Sequence, residues 1–152
     1  MTDSPRPLTA RLTRVFNAPI DVVYRAWTDA EQLVQWMKCE PSVEVSYENW
    51  HPEVGRKFAT SMKKPGEWET HGTGRFLEVD PPHVLAYCSD ANPELGVPEM
   101  TVRIELKEVD GGTELTLTHS GLPSDEMKGI VQGGWTQSLS MLGDLVAAVQ
   151  RA

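Results

Sequence analysis

Between residues 124 and 150 the apolar positions recur at three- and four-residue spacing. Val131, Trp135, Leu139, Leu142, Val146 and Val149 share one helical face, with Ser138 the small polar member among them. Asp144, Gln137 and Gln150 fall on the other side. Pro123 and Ser124 supply a stop and an N-cap, Asp125 and Glu126 put negative charge where the helix dipole favours it, and the periodicity opens at Met127. The pattern predicts one long amphipathic helix, roughly 40 Å at ~1.5 Å per residue, about as long as a small domain is wide. Such a helix must lie across another layer. Gly129, Gly133 and Gly134 interrupt its first half, each costing about 1 kcal/mol relative to alanine. Close packing or a bend is the favoured reason for them, and a thin helical lid over a cavity beside Trp135 is the alternative.

Upstream, alternation takes over. Residues 8–16 place Leu8, Ala10, Leu12 and Phe16 on one face of a strand and Thr9, Arg11 and Thr13 on the other. Asn17 and Pro19 open a short helix, with Asp21 in its first turn and Ile20, Val23 and Trp27 on its apolar side. Thr28 and Glu31 have capping-box spacing, which predicts a second helix through Leu33 to about Trp36.

Val43, Val45 and Tyr47 then alternate with polar residues, 52–55 turn, and 57–62 return. After Pro65-Gly66, residues 68–79 read as a longer strand in which Gly72 and Gly74 suggest a bulge or a strong bend. Residues 84–89 form the next strand and 91–98 a loop. Met100, Val102, Ile104 and Leu106 alternate cleanly, Asp110-Gly111-Gly112 is the tightest turn signal, and 113–119 return with Leu115, Leu117 and His119 inward.

One strand, two short helices, about six antiparallel strands and a long helix make an α+β chain. A strongly curved antiparallel sheet of six to seven strands can wrap part-way round the C-terminal helix, whose apolar stripe closes the open side. A sheet gripping a helix in this way rarely packs solid, so a cavity between the two is a natural by-product.

Composition narrows the partners. With 14 basic and 22 acidic residues among 152, the net charge of -8 argues against nucleic acid and against anionic membrane surfaces. No apolar run approaches the ~18 residues of a membrane span and no charged-then-apolar leader is present, so a cytoplasmic protein without membrane insertion is expected. Hydrophobic content of 39% and charged content of 24% fit a single globular domain over residues 1–152. Residues 1–7 read as a frayed tail, and Cys39 and Cys88 as two isolated reduced thiols.

The run Arg14-Val15-Phe16-Asn17-Ala18-Pro19 leading to Val23, Trp27 and Trp36 resembles the N-terminal signature of START-like (SRPBCC, birch-pollen-allergen-like) domains. Within that superfamily the chain is most similar to the branch named after the C-terminal domain of the activator of heat-shock protein 90 ATPase. Residues 74–82, 112–121 and Gly134-Trp135 with Leu139 and Leu142 are similar to further segments of it. Val54-Gly55 stands where that branch often carries paired glycines. The resemblance implies a helix-grip fold with a cavity between sheet and final helix. It implies less about function, because this fold serves lipid and hydrophobic-ligand binding, polyketide cyclisation and co-chaperone action.

The candidate ligand-lining set is Trp36, Tyr47, Phe58, Trp68, Tyr87, His119, Trp135 and Leu139. For each large aromatic, core packing is the favoured alternative; Trp135 is the strongest pocket candidate because it adjoins Gly133 and Gly134 on the gripping helix. His119 is read first as a core histidine hydrogen-bonded to backbone, and second as a polar anchor at the cavity mouth. A general base would need an orienting partner and a reacting group, and the sequence shows no such constellation. His51, His71 and His83 have no regular cysteine or carboxylate neighbours at ligand spacing, and no phosphate loop or nucleophile elbow is present. No catalytic set, no metal and no cofactor are therefore expected.

Three functional readings follow. The leading one is a non-enzymatic binding protein for a small hydrophobic or amphipathic molecule. The second is a cyclase- or dehydratase-like enzyme using His119 with a carboxylate or tyrosine from a facing strand. The third is a co-chaperone-like interaction module, with a protein partner or a second copy of the chain in a homodimer.

Overall fold

A computed structural model describes residues 8–38, 40–93 and 96–151, so the expectations for the first seven residues, for Cys39 and for the middle of the 91–98 loop lie outside the described residues. The chain runs β1 (Leu8–Phe16), α1 (Ile20–Thr28), α2 (Ala30–Trp36), β2 (Glu44–Glu48), β3 (Lys57–Lys64), β4 (Trp68–Asp80), β5 (Val84–Ser89), β6 (Met100–Val109), β7 (Gly112–Leu122) and α3 (Asp125–Arg151). This is the predicted order. The seven strands form one antiparallel sheet in the order β1-β7-β6-β5-β4-β3-β2, with β1 and β2 at its open edges. It is an α+β helix-grip architecture.

Strand alternation assigns the two faces. Ala10, Leu12 and Phe16 of β1, Leu115, Leu117 and His119 of β7, and Val102, Ile104 and Leu106 of β6 share the inner face by register. Leu85 and Tyr87 of β5, Gly74 and Phe76 of β4, and Phe58 of β3 continue it. The core is built on these positions together with Ile20, Val23, Trp27, Leu33 and Trp36 from the short helices and Leu139, Leu142 and Val146 from α3. α3 packs chiefly on β1 and α2 rather than over the middle of the sheet.

Local chemistry explains the boundaries. Ser124 caps α3, its hydroxyl oxygen accepting from the Met127 amide at 3.1 Å. Asp110 and Gly111 form the two-residue β6–β7 turn between the paired Val109 and Gly112, with Gly111 at φ 82°. The predicted capping box does not form. Asp29 is the N-cap of α2 and accepts from the Glu31 amide at 3.0 Å, while Thr28 donates back to the Tyr24 carbonyl at 3.3 Å.

The glycines of β4 also act differently from the expectation. Residues 72–74 hold an unbroken register with β3, and the irregularity falls between Phe76 and Glu78, against β5. The extra residue is thus Leu77. Gly74 instead admits the ring of Phe58, its cross-strand partner, and the Cys88 carbonyl. In α3, Val149 lies on the apolar stripe yet is 40% exposed, so the stripe loses its cover near the helix end.

Candidate functional site

Phe76, Tyr87, Val102, His119 and Ala10 occupy one cross-strand row on the inner face of the sheet. His119 meets α3 there. Trp135 Nε1–H donates to His119 Nδ1 at 2.9 Å, which leaves the imidazole proton on Nε2, facing the Met100 thioether at 3.4 Å. The expected backbone hydrogen bond is replaced by an indole, because the long helix carries Trp135 directly over the strand. Burial lowers the imidazole pKa from 6.5 to about 4, so His119 is neutral at pH 7.

That depression makes stability pH-dependent. Between pH 6.5 and 4 the unfolded chain takes up the proton and the folded one resists it, so the His119 contribution is present above pH 6.5 and is lost as pH falls towards 4. Urea unfolding of wild type and His119→Gln at pH 7 and pH 4.5 should show wild type losing about 2 kcal/mol more than the variant. Parallel losses would show that the histidine is not held neutral.

Beside this pair lies an open groove of about 230 Å³, lined by Met37 and Lys38 at the end of α2, His119, and Ile130, Val131, Gly134, Trp135 and Ser138 of α3. Ser138 pins its base, donating to the Lys38 carbonyl at 2.6 Å. Ile130 is 63% exposed on its outer lip. Behind the groove Trp135 stacks on Trp27 at 5.9 Å between ring centroids, and Trp27 meets Trp36 edge-on at 4.6 Å. The Trp27 indole N–H is fully buried and has no acceptor among the described residues, a deficit of about 1–3 kcal/mol.

The helix glycines are not close-packing positions. A Cβ built at Gly129, Gly133 or Gly134 meets nothing within 4 Å, whereas one at Gly143 would lie 2.7 Å from the Arg14 guanidinium. Close backbone approach of α3 to the sheet is therefore made at Gly143, while the three glycines of its first half face open space. Gly133→Ala should raise stability by about 1 kcal/mol through helix propensity alone, read as a higher urea midpoint. A loss on this substitution would mean that the helix is held in a different conformation.

The remaining predicted lining residues divide. Tyr47, Phe58 and Tyr87 gather round Trp50, with centroid separations of 5.2, 4.7 and 5.3 Å. Trp36 and Leu139 are closed off in the core, and Trp68 stands 39% exposed at the start of β4, away from the groove. Burial raises the phenol pKa of Tyr47, and Tyr87 is raised well above its usual value by burial and then by neighbouring Tyr47. Tyr47 donates to the Met37 carbonyl at 3.3 Å. Sequence reasoning missed Met37, Lys38 and Ile130 in the groove lining. Ile130 did carry a signal, as an isoleucine off the apolar stripe between two glycines.

A larger concavity of about 500 Å³ lies on the outer face, where Ser46, Ser61 and His71 form one cross-strand row and Glu48, Ala59 and Thr73 the next. Its polar side chains are mostly solvent-exposed, and His71 is already paired with Glu69 at 2.7 Å. On the same face Cys88, Asp90 and Glu99 bring donor atoms within 4.8 Å of one another. Arg75 lies 3.6 Å from Asp90 and 3.4 Å from Glu99, so these two carboxylates already have a cation between them. Cys88 is buried and free.

The structure is similar to that of protein CV1439 from Chromobacterium violaceum, with 28% identity, a TM-score of 0.83, and coverage of 91% of this chain and 96% of that one. It also matches a protein from Arthrobacter aurescens at 21% identity and TM-score 0.78, over 93% of this chain and 87% of that one. The AHSA1-like protein from Aeromonas hydrophila matches at 20% identity and TM-score 0.77, over 94% of each chain; these last two likenesses concern the fold alone. No curated protein matches the chain in sequence. No helix among the described residues is long and apolar enough to cross a membrane. The family model described as Activator of Hsp90 ATPase homolog 1-like protein matches residues 17–147, and the chain belongs to that family.

Proposed function

We propose that this protein binds a small hydrophobic or amphipathic molecule in the groove between the first half of α3, the end of α2 and His119. The observation that carries the reading is the groove itself: an apolar wall of Met37, Val131 and Trp135 beside glycines that pack against nothing. The volume of about 230 Å³ is below the ~300–1,000 Å³ of drug-sized pockets, which selects a compact ligand.

The enzyme reading has less support. The ring nitrogens of His119 face an indole and a thioether, and no carboxylate or tyrosine orients the ring among the described hydrogen bonds. The test of binding uses the neutral fluorophore N-phenyl-1-naphthylamine. Saturable fluorescence enhancement is expected with wild type and should disappear in Gly134→Leu, which fills the groove at a site where a Cβ clashes with nothing. No saturable binding, or equal binding by the variant, overturns the proposal.

A further inference from the structure

The groove carries charge as well as apolar surface. Lys38 lines it, and among the described residues no carboxylate lies within ion-pair distance of its ammonium. Lys57, Lys63 and Lys107 likewise have none, whereas Lys64 lies between Glu40 and Glu67; what sets Lys38 apart is its place in the groove lining. Lys128 sits one helical turn before Val131, and helical spacing places it on the stripe of Val131, Trp135 and Ser138. It too has no carboxylate at ion-pair distance among the described residues. On a chain of net charge -8, Lys38 in the groove lining, with Lys128 one turn before Val131 on α3, forms a local positive field.

The other polar side-chain atoms beside the groove are already engaged. His119 has its Nδ1 occupied by Trp135 and turns Nε2–H to the Met100 thioether, outside the groove lining. Ser138 has spent its donor on the Lys38 carbonyl. What the groove has left to offer a ligand is the Lys38 ammonium, a donor. A ligand that matches it is an acceptor with negative charge, whereas an amine would meet a like charge.

We infer that the ligand of the groove is a small free carboxylic acid with an apolar body, bound as its carboxylate at Lys38 with the body against Val131 and Trp135. This assignment rests on the binding function proposed above and names its ligand class. The groove's volume of about 230 Å³ suits one aromatic ring or a short acyl chain. Charge supplies the selectivity and the apolar wall the remaining affinity.

Displacement of bound N-phenyl-1-naphthylamine tests it with octanoate, 1-octanol and octylamine at pH 7.5. Wild type should release the fluorophore at an octanoate concentration about tenfold below that of 1-octanol, as expected for one charge-assisted contact. Lys38→Met, which keeps most of the chain length and removes the charge, should abolish that preference. Octylamine should be the weakest of the three. Equal displacement by octanoate and 1-octanol in wild type, or a preference that survives Lys38→Met, overturns the carboxylate assignment and leaves the groove as a neutral apolar site. Failure of the fluorophore to bind wild type at all overturns the binding function, and this assignment with it.

Discussion

Trp50→Ala should lower the stability of this protein by about 3–5 kcal/mol, the largest loss expected of any single aromatic truncation here. Trp50 lies in the short connection between β2 and β3, yet its ring touches both faces of the problem. It meets Tyr47 of β2, Phe58 of β3, Phe76 of β4 and Tyr87 of β5, all with centroids within 5.3 Å and near-perpendicular planes, and it is 3% exposed. Its indole N–H donates to the Trp27 carbonyl at 2.9 Å, tying the end of α1 to the sheet. Alanine would open a cavity that four rings on four separate strands cannot collapse into, and would leave a buried carbonyl unpaired. Against a typical total of about 5–15 kcal/mol, such a loss unfolds a sizeable fraction of the protein. Urea unfolding followed by far-ultraviolet circular dichroism reads it, and Trp50→Phe separates the two terms by keeping a ring and deleting the hydrogen bond. A midpoint within experimental error of wild type for Trp50→Ala would show that the aromatic cluster is not the keystone of the sheet.

Gly74→Ala is expected to be nearly as damaging, by about 3 kcal/mol or more. A Cβ there would lie 2.1 Å from the Cys88 carbonyl oxygen and 2.6 Å from Phe58 Cζ. The phenyl ring could turn aside, but only by leaving the cluster around Trp50. The carbonyl belongs to the β4–β5 ladder and cannot move without parting the strands. The same substitution at Gly133 is expected to stabilise, since nothing surrounds it. The pair therefore distinguishes steric demand from propensity, and equal effects at the two positions would refute the packing described for β4.

The order of elements was legible residue by residue because each element is specified locally. Alternation in 100–107 and 113–119, the Asp110-Gly111 turn and the Ser124 cap all act over a few residues, and the structure realises them. The features that misled are those decided at a distance. Gly72 and Gly74 look like a bulge in the chain alone, but the extra residue is Leu77, and Gly74 instead leaves room for the ring of Phe58 on the neighbouring strand. Gly129, Gly133 and Gly134 look like a packing face, yet the close approach of α3 occurs at Gly143 over Arg14.

The candidate site divides along the same line. That Trp135 and His119 both face inward follows from helical and strand periodicity; that the indole donates to the imidazole depends on how far α3 slides along β1, which the chain alone does not state. Trp36, Phe58 and Leu139 carry the same local signal as Trp135, and only packing decides that they are sealed in the core while Trp135 lines an opening. Lys38 had no signal at all, because a lysine after a short helix is ordinary until the fold sets it in the lining of a groove. The sequence by itself determined the elements, their order and the face each residue takes, since these follow from backbone geometry and burial of apolar side chains over short spans. Which inward residues fill the core and which border a groove was decided by tertiary structure, because it depends on the volume left between layers whose separation no local pattern records.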